Sequence, residues 1–132
     1  MLRWARLAYL VLSWALVAGL VVQVFLIGAA IFDGGDQFRT MHRNVGYVVH
    51  FWPLLVLAAA WLSKAGKAHW QWAAALAVVG LIFPLMTLLA DTSPLLAALH
   101  PVGAFIAFVL AVIVARNAWT AYRMPLEAAA GG

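Results

Sequence analysis

The feature that most restricts this chain is a repeat of itself. Asp33–Trp61 and Asp91–Trp119 superimpose without a gap when one is slid over the other by 58 positions, the separation of His42 from His100. Asp33 then falls on Asp91, His42 on His100, Ala60 on Ala118 and Trp61 on Trp119. The register holds upstream, where Trp14 meets Trp72, Ala15 meets Ala73, Val21 meets Val79 and Phe25 meets Phe83. Similar residues fill the gaps: Met41 with Leu99, Tyr47 with Phe105, Arg6 with Lys64. A repeat of this kind fixes the architecture before any other consideration.

Each unit contains two long apolar runs, so each unit is a hairpin that needs a bilayer. The chain is 67% hydrophobic and 9% charged, where a soluble domain is about half apolar and about a quarter charged. A crossing takes about 20 apolar residues, so 132 residues provide four crossings and no separate soluble domain. The expected fold is all-α, a four-span transmembrane helical bundle built from two repeated hairpins. It forms a single membrane domain, with unit one at about 4–63, unit two at about 64–122 and a short flexible tail at 123–132.

The absence of cysteine excludes disulfides, thiolate metal sites and covalent c-type haem attachment. The net charge of +4 is no nucleic-acid footprint, because the basic residues fall at span ends and read as topology. With the N-terminus inside, Arg3, Arg6, Lys64, Lys67, Arg116 and Arg123 are cytoplasmic and Arg39 and Arg43 are not. That balance predicts both termini on the cytoplasmic side of a bacterial inner membrane. Trp4, Trp61, Trp70, Trp72 and Trp119 gather at the same level, as an interfacial belt does.

The first span is expected at about Leu7–Phe32. It is too long for a signal-peptide core, and it pairs with the third span in the repeat. Gly34-Gly35 makes a turn, with Asp36 as the expected cap of a second span at about Phe38–Leu62. The third span is expected at Trp70–Ala90, and the fourth from a Ser93-Pro94 start to about Tyr122. Pro53 and Pro84 lie inside spans and predict kinks.

In an up-down bundle with short loops, the second and fourth spans are parallel and diagonal. His42 and His100 each follow their aspartate by nine residues, so they are expected at equal depth, facing one cofactor across the bundle. Ionisable residues inside a span are rare and mark function. Neutral imidazole is a strong iron ligand, and two filling both axial positions suit electron transfer rather than oxygen binding. Gly46, Gly103 and Ala104 lie one turn after the two histidines, small enough for a flat ring to approach the backbone; equally, they are the small residues of helix packing. Arg43 and Arg39 stand at the level of haem propionates, or serve as surface charge beside Asp33 and Asp36. His50 lies two turns past His42 and rotated by roughly 80°. It faces Phe108 in the repeat, and is a substitute ligand, a quinone contact or a proton relay. A carbonyl freed by Pro53 near Val49 could hydrogen-bond it. Pro101 pushes His100 towards a bend. His69, in the loop, reads as solvated.

On His42-Arg43, Gly46 and His100-Pro101 the chain resembles the four-helix haem b modules of membrane cytochromes. It looks most like one half of haem A synthase, and is similar in outline to cytochrome b561-type proteins and to small four-span bacterial membrane proteins. The resemblance spans nearly the whole chain. It implies one bis-histidine haem b with His42 and His100 as axial ligands to iron, and no catalytic residues. Haem A synthase carries an acidic residue three before its first histidine; this chain has Arg39 there, so oxygenation chemistry is not implied. The sequence therefore points to a b-type cytochrome that passes single electrons near the outer face, with a quinone or other redox subunits as partners. The competing readings are a non-catalytic membrane subunit or assembly factor whose histidines only pack, and a small carrier or channel. The last is disfavoured by the lack of charge deep in the spans.

Overall fold

A computed structural model of the chain describes residues 1–125. Its helices are α1 (Leu2–Asp33), α2 (Asp36–Leu62), α3 (Lys67–Leu85), a one-turn α4 (Pro94–Ala97) and α5 (Leu99–Arg123). A 3-10 turn at Met86–Leu89 continues α3. No strand occurs among the described residues. In hydrocarbon every backbone polar group must be satisfied within its own segment, which leaves the helix as the solution for an open apolar chain. Four stretches are long and apolar enough to cross a membrane: Leu2–Asp33, Asp36–Leu62, Lys67–Leu89 and Pro94–Arg123. The protein is a multi-pass membrane protein with an all-α four-helix bundle, as the sequence predicts.

The bundle closes as a ring. α1 packs on α2 and α5, and α3 packs on the same two helices. α2 and α5 therefore face each other across the diagonal and run in the same direction. Both termini lie at one end, called here the termini end. The Gly34-Gly35 turn and the stretch between α3 and α4 lie at the other, the histidine end.

Local chemistry sets the joints. α1 ends because Gly34 takes a left-handed conformation (φ 69°), which a residue without Cβ adopts freely. Asp36 is not the cap expected of it. Gly35 occupies that position without a side-chain bond, and Asp36 is the first helical residue, where its charge still suits the positive helix end. In the second joint, Ser63 Oγ donates to the Ala60 carbonyl at 2.7 Å and Gly66 sits at φ 108°. α2 continues as one helix through Pro53. Its neighbour α3 presents Gly80 there, where an added Cβ would stand 3.1 Å from Pro53 Cγ. Pro84 lies one residue before the end of α3, and the chain then tightens into the 3-10 turn.

The fourth span is interrupted close to the bend expected at His100-Pro101, with the break at Ala98. Ser93 and Pro94 do start a helix, but it runs one turn before that break. Pro101 has no N–H for the Ala97 carbonyl and crowds the preceding turn, so α5 starts afresh at Leu99. The expected tail begins at Arg123, the last residue of α5; residues 126–132 lie outside the described part.

The closed core occupies the half of the bundle nearer the termini. It contains Tyr9 and Leu16 of α1, Val56, Ala59 and Ala60 of α2, Ala73 and Leu76 of α3, and a run on α5 from Ala107 to Ala121. Alanine recurs at three- and four-residue spacing along α5 (Ala107, Ala111, Ala115, Ala118), so one face is nearly smooth and the neighbouring backbones approach closely. That is how helices associate where lipid removes the usual hydrophobic drive. Trp52 crosses the α1–α2 seam to donate its indole N–H to the Leu12 carbonyl at 3.0 Å.

Candidate functional site

The histidine half is built differently. Along α2 no residue before Pro53 is fully buried; more than half of them are exposed and the rest are half-buried. In this looser region the two repeat-matched histidines come from the diagonal helices. His42 is the seventh residue of α2, counted from Asp36, and His100 the seventh counted from Pro94. At about 1.5 Å per residue each lies roughly 9 Å below the start of its span. Both are half-buried. His42, His50 and His100 lie in the same half of the bundle, the one away from the termini.

Their hydrogen bonding separates them. His42 is held by Gln23, which α1 projects from the middle of an otherwise apolar run. The Gln23 amide, oriented so that each end meets a complementary group, donates to the His42 carbonyl at 3.0 Å and accepts from the Gly46 N–H at 2.9 Å. Those two groups are the partners of one helical turn of α2, so the amide clips onto the helix beside the histidine. The amide nitrogen also stands 2.8 Å from His42 Nδ1, and the Gln23 backbone carbonyl stands 3.1 Å from that same nitrogen. Nδ1 thus has both a donor and an acceptor within reach. When it donates to the carbonyl, Nε2 keeps its lone pair; when it accepts from the amide, Nε2 carries the hydrogen. The first tautomer is the one able to ligate a metal, and a carbonyl on the far ring nitrogen is the usual support for such a ligand.

His100 and His50 have no such tether. The Nδ1 atom of each is buried without a hydrogen-bond partner, although such groups are ordinarily paired. The bond expected between His50 and the carbonyl freed near Val49 is not made. His50 lies edge-on to Phe51, with ring centroids 4.7 Å apart.

The small residues divide. Gly46 and Ala104 are half-buried, and Gly46 is engaged by Gln23. Gly103 is fully buried, and a Cβ there would overlap the Phe83 ring and its Cβ. It is the seat of an α3 aromatic, so the small-residue reading that applies at Gly103 is helix packing. Arg43 and Arg39 are exposed on α2. No group of three or more His, Cys, Asp or Glu residues arranged to hold a metal ion occurs among the described residues.

The termini end holds a second set of buried polar side chains that the sequence reading took for surface groups. Arg6 is 2% exposed. Its Nη1 donates to the Met124 carbonyl at 2.7 Å and its Nε reaches the Ser63 carbonyl at 3.4 Å. These carbonyls stand just past the ends of α5 and α2, where helices leave acceptors unpaired and a cation is favoured. His69 is half-buried rather than solvated, with Nδ1 buried and unpartnered. Its ring meets Tyr9 edge-on at 6.3 Å, and the Tyr9 hydroxyl is likewise buried without a partner.

Gln23 is the residue that reasoning from the repeat overlooks, because its repeat partner is Leu81. The signal was present: an amide in the middle of an apolar span is expensive unless it is bonded. A family model described as "Family of unknown function (DUF6220)" matches residues 23–92. The matched stretch begins at Gln23, takes in His42 and His50, and ends ahead of His100. No curated protein and no solved structure matches the chain.

Proposed function

The chain belongs to the DUF6220 family of unknown function, and from that premise we propose that it is a b-type cytochrome of the membrane, binding one haem b through His42 and His100. The observation that carries this reading is the pair of half-buried imidazoles, each seventh in its span, on the parallel diagonal helices α2 and α5. The anchoring of His42 through Nδ1 supports this reading, since a ligating imidazole is held by its other ring nitrogen; His100 has no such partner on its Nδ1. Bound haem supplies one-electron redox chemistry at its iron. The chain's own residues hold and orient the imidazoles, exclude lipid, and set local charge through Arg43 and Arg39. Electrons would enter and leave at the histidine end, from a quinone or a redox subunit. The excess of basic residues at the termini end supports a cytoplasmic side for that end, in a bacterial inner membrane.

A second reading has support of its own. The Gln23 clip joins α1 to α2, and Phe83 seated on Gly103 joins α3 to α5. Both act as fasteners, so the histidines of a non-catalytic membrane subunit or assembly factor could serve packing alone.

One experiment divides the two. The protein is purified from cells supplied with a haem precursor and reduced with dithionite. The cytochrome reading expects sharp α and Soret bands, lost in His42→Ala and in His100→Ala and kept in His50→Ala. A colourless protein leaves the packing role; a colour that survives removal of both His42 and His100 refutes these ligands.

A further inference from the structure

We propose that the outer face of α5 at the termini end is a binding site for an anionic phospholipid. The inference is independent of any redox role, because it concerns the opposite end of the molecule. A groove of about 680 Å³ runs along the α1–α5 seam, lined by Trp14, Ile113, Arg116, Asn117, Trp119 and Thr120. A second, of about 410 Å³, adjoins it through Trp119 and Thr120 and adds Arg123, Met124 and Pro125.

The spacing makes one surface of the two grooves. Arg116, Trp119, Thr120 and Arg123 are at i, i+3, i+4 and i+7, which is one face of a helix. Arg116, Trp119, Thr120 and Arg123 are all exposed, and the Arg123 guanidinium stands 5.9 Å from the Trp119 ring centroid. Two guanidiniums two turns apart therefore flank an indole and a hydroxyl. Guanidinium recognises phosphate through paired N–H donors, and Trp places this level at the boundary between headgroup and hydrocarbon. Going deeper along the seam, the lining turns apolar at Ile113 and Trp14, which suits an acyl chain. Among the described residues the charge at this end is of one sign, because Asp33, Asp36 and Asp91 all lie at the histidine end. Phosphate at the arginines with a chain along Trp14 is the arrangement of a phospholipid, and the pair of cations selects a headgroup with net negative charge over a zwitterionic one.

The test is native mass spectrometry of the detergent-purified full chain. It is titrated with phosphatidylglycerol or phosphatidylcholine of identical chains, and with inorganic phosphate. A basic residue at a membrane surface contributes roughly fivefold to binding of an anionic lipid, so the intact protein should prefer phosphatidylglycerol by about twentyfold or more. Arg116→Gln should lose roughly fivefold and the double variant Arg116→Gln with Arg123→Gln nearly all of the preference. Arg3→Gln, an exposed charge at the same end but outside the grooves, should keep it. Equal loss in Arg3→Gln, or an unchanged preference in the double variant, overturns the site. Binding of inorganic phosphate as tight as that of the lipid overturns the lipid as its occupant. An unaltered melting curve shows that each variant still folds.

Discussion

The two halves of this bundle meet the same problem, polar groups inside hydrocarbon, in opposite ways. The termini half seals itself. Alanines on α5 let the helices close around Tyr9, Leu16, Val56 and Val114, and the one buried cation, Arg6, binds the chain's own carbonyls. The histidine half stays looser. α2 is nowhere fully buried before Pro53, the half-buried polar groups of this half include three imidazoles and the Gln23 amide while Arg39 and Arg43 are exposed, and two of the imidazoles present an unpartnered Nδ1. A region that closes tightly around its polar groups is a fastening. A region that gathers titratable rings and leaves them incompletely paired is where an outside group finds partners. The lesson concerns Tyr9 and His69 as well, which are unpartnered inside the sealed half: orphan atoms alone do not distinguish the halves, and packing around them does.

This contrast can be broken or sharpened in order of effect. The largest effect is all-or-none: His42→Ala and His100→Ala should each abolish a reduced haem spectrum while leaving the melting temperature near that of the intact protein. A large fall in melting temperature without any spectrum to lose would make the histidine half a fastening too. Next is Gly103→Val, which drives a side chain into Phe83 and should cost about 3 kcal/mol; pairing it with Phe83→Ala should restore most of that in a detergent melt. Arg6→Ala leaves the carbonyls at Ser63 and Met124 without their donor, and about 1–3 kcal/mol should be lost, measured by tryptophan fluorescence on heating. Gln23→Leu removes the clip but keeps the backbone carbonyl beside His42 Nδ1. A loss of about 1 kcal/mol with an intact reduced spectrum is expected, whereas loss of the spectrum would show that the amide itself sets the ring. The smallest change is Tyr9→Phe, which removes an unpaired buried hydroxyl and should be neutral or raise stability by up to about 1 kcal/mol.

Much of this architecture was legible in the chain. Four apolar runs in two matching hairpins dictate a ring of helices with α2 and α5 on the diagonal, because short joints allow little else. The matching places of His42 and His100, each seventh in its span, follow from the same register. The departures arise where one residue overrides the repeat. Pro101, standing where Arg43 stands in the first unit, splits the last span at Ala98. Gln23, against Leu81, gives His42 a tether that His100 lacks. Arg6 looked like a topology charge because sequence shows that a cation is near a helix end, not whether that end has carbonyls to offer inward. Gly103 is open in the sequence to two readings, floor for a flat ring or helix packing, and no pattern along the chain could reveal that Phe83 from another helix lies against it.

The Arg6 contact also bears on how the molecule is made. Its partner at Met124 is 118 residues further along the chain. At about 5–20 residues per second, the first span waits roughly 6–24 seconds after its arginine is synthesised before that acceptor exists. The earlier helices can pair during this interval, and Arg6 can reach the Ser63 carbonyl, but the latch between α1 and α5 closes only once Met124 is made, so a chain interrupted before that residue holds its buried cation by one acceptor instead of two.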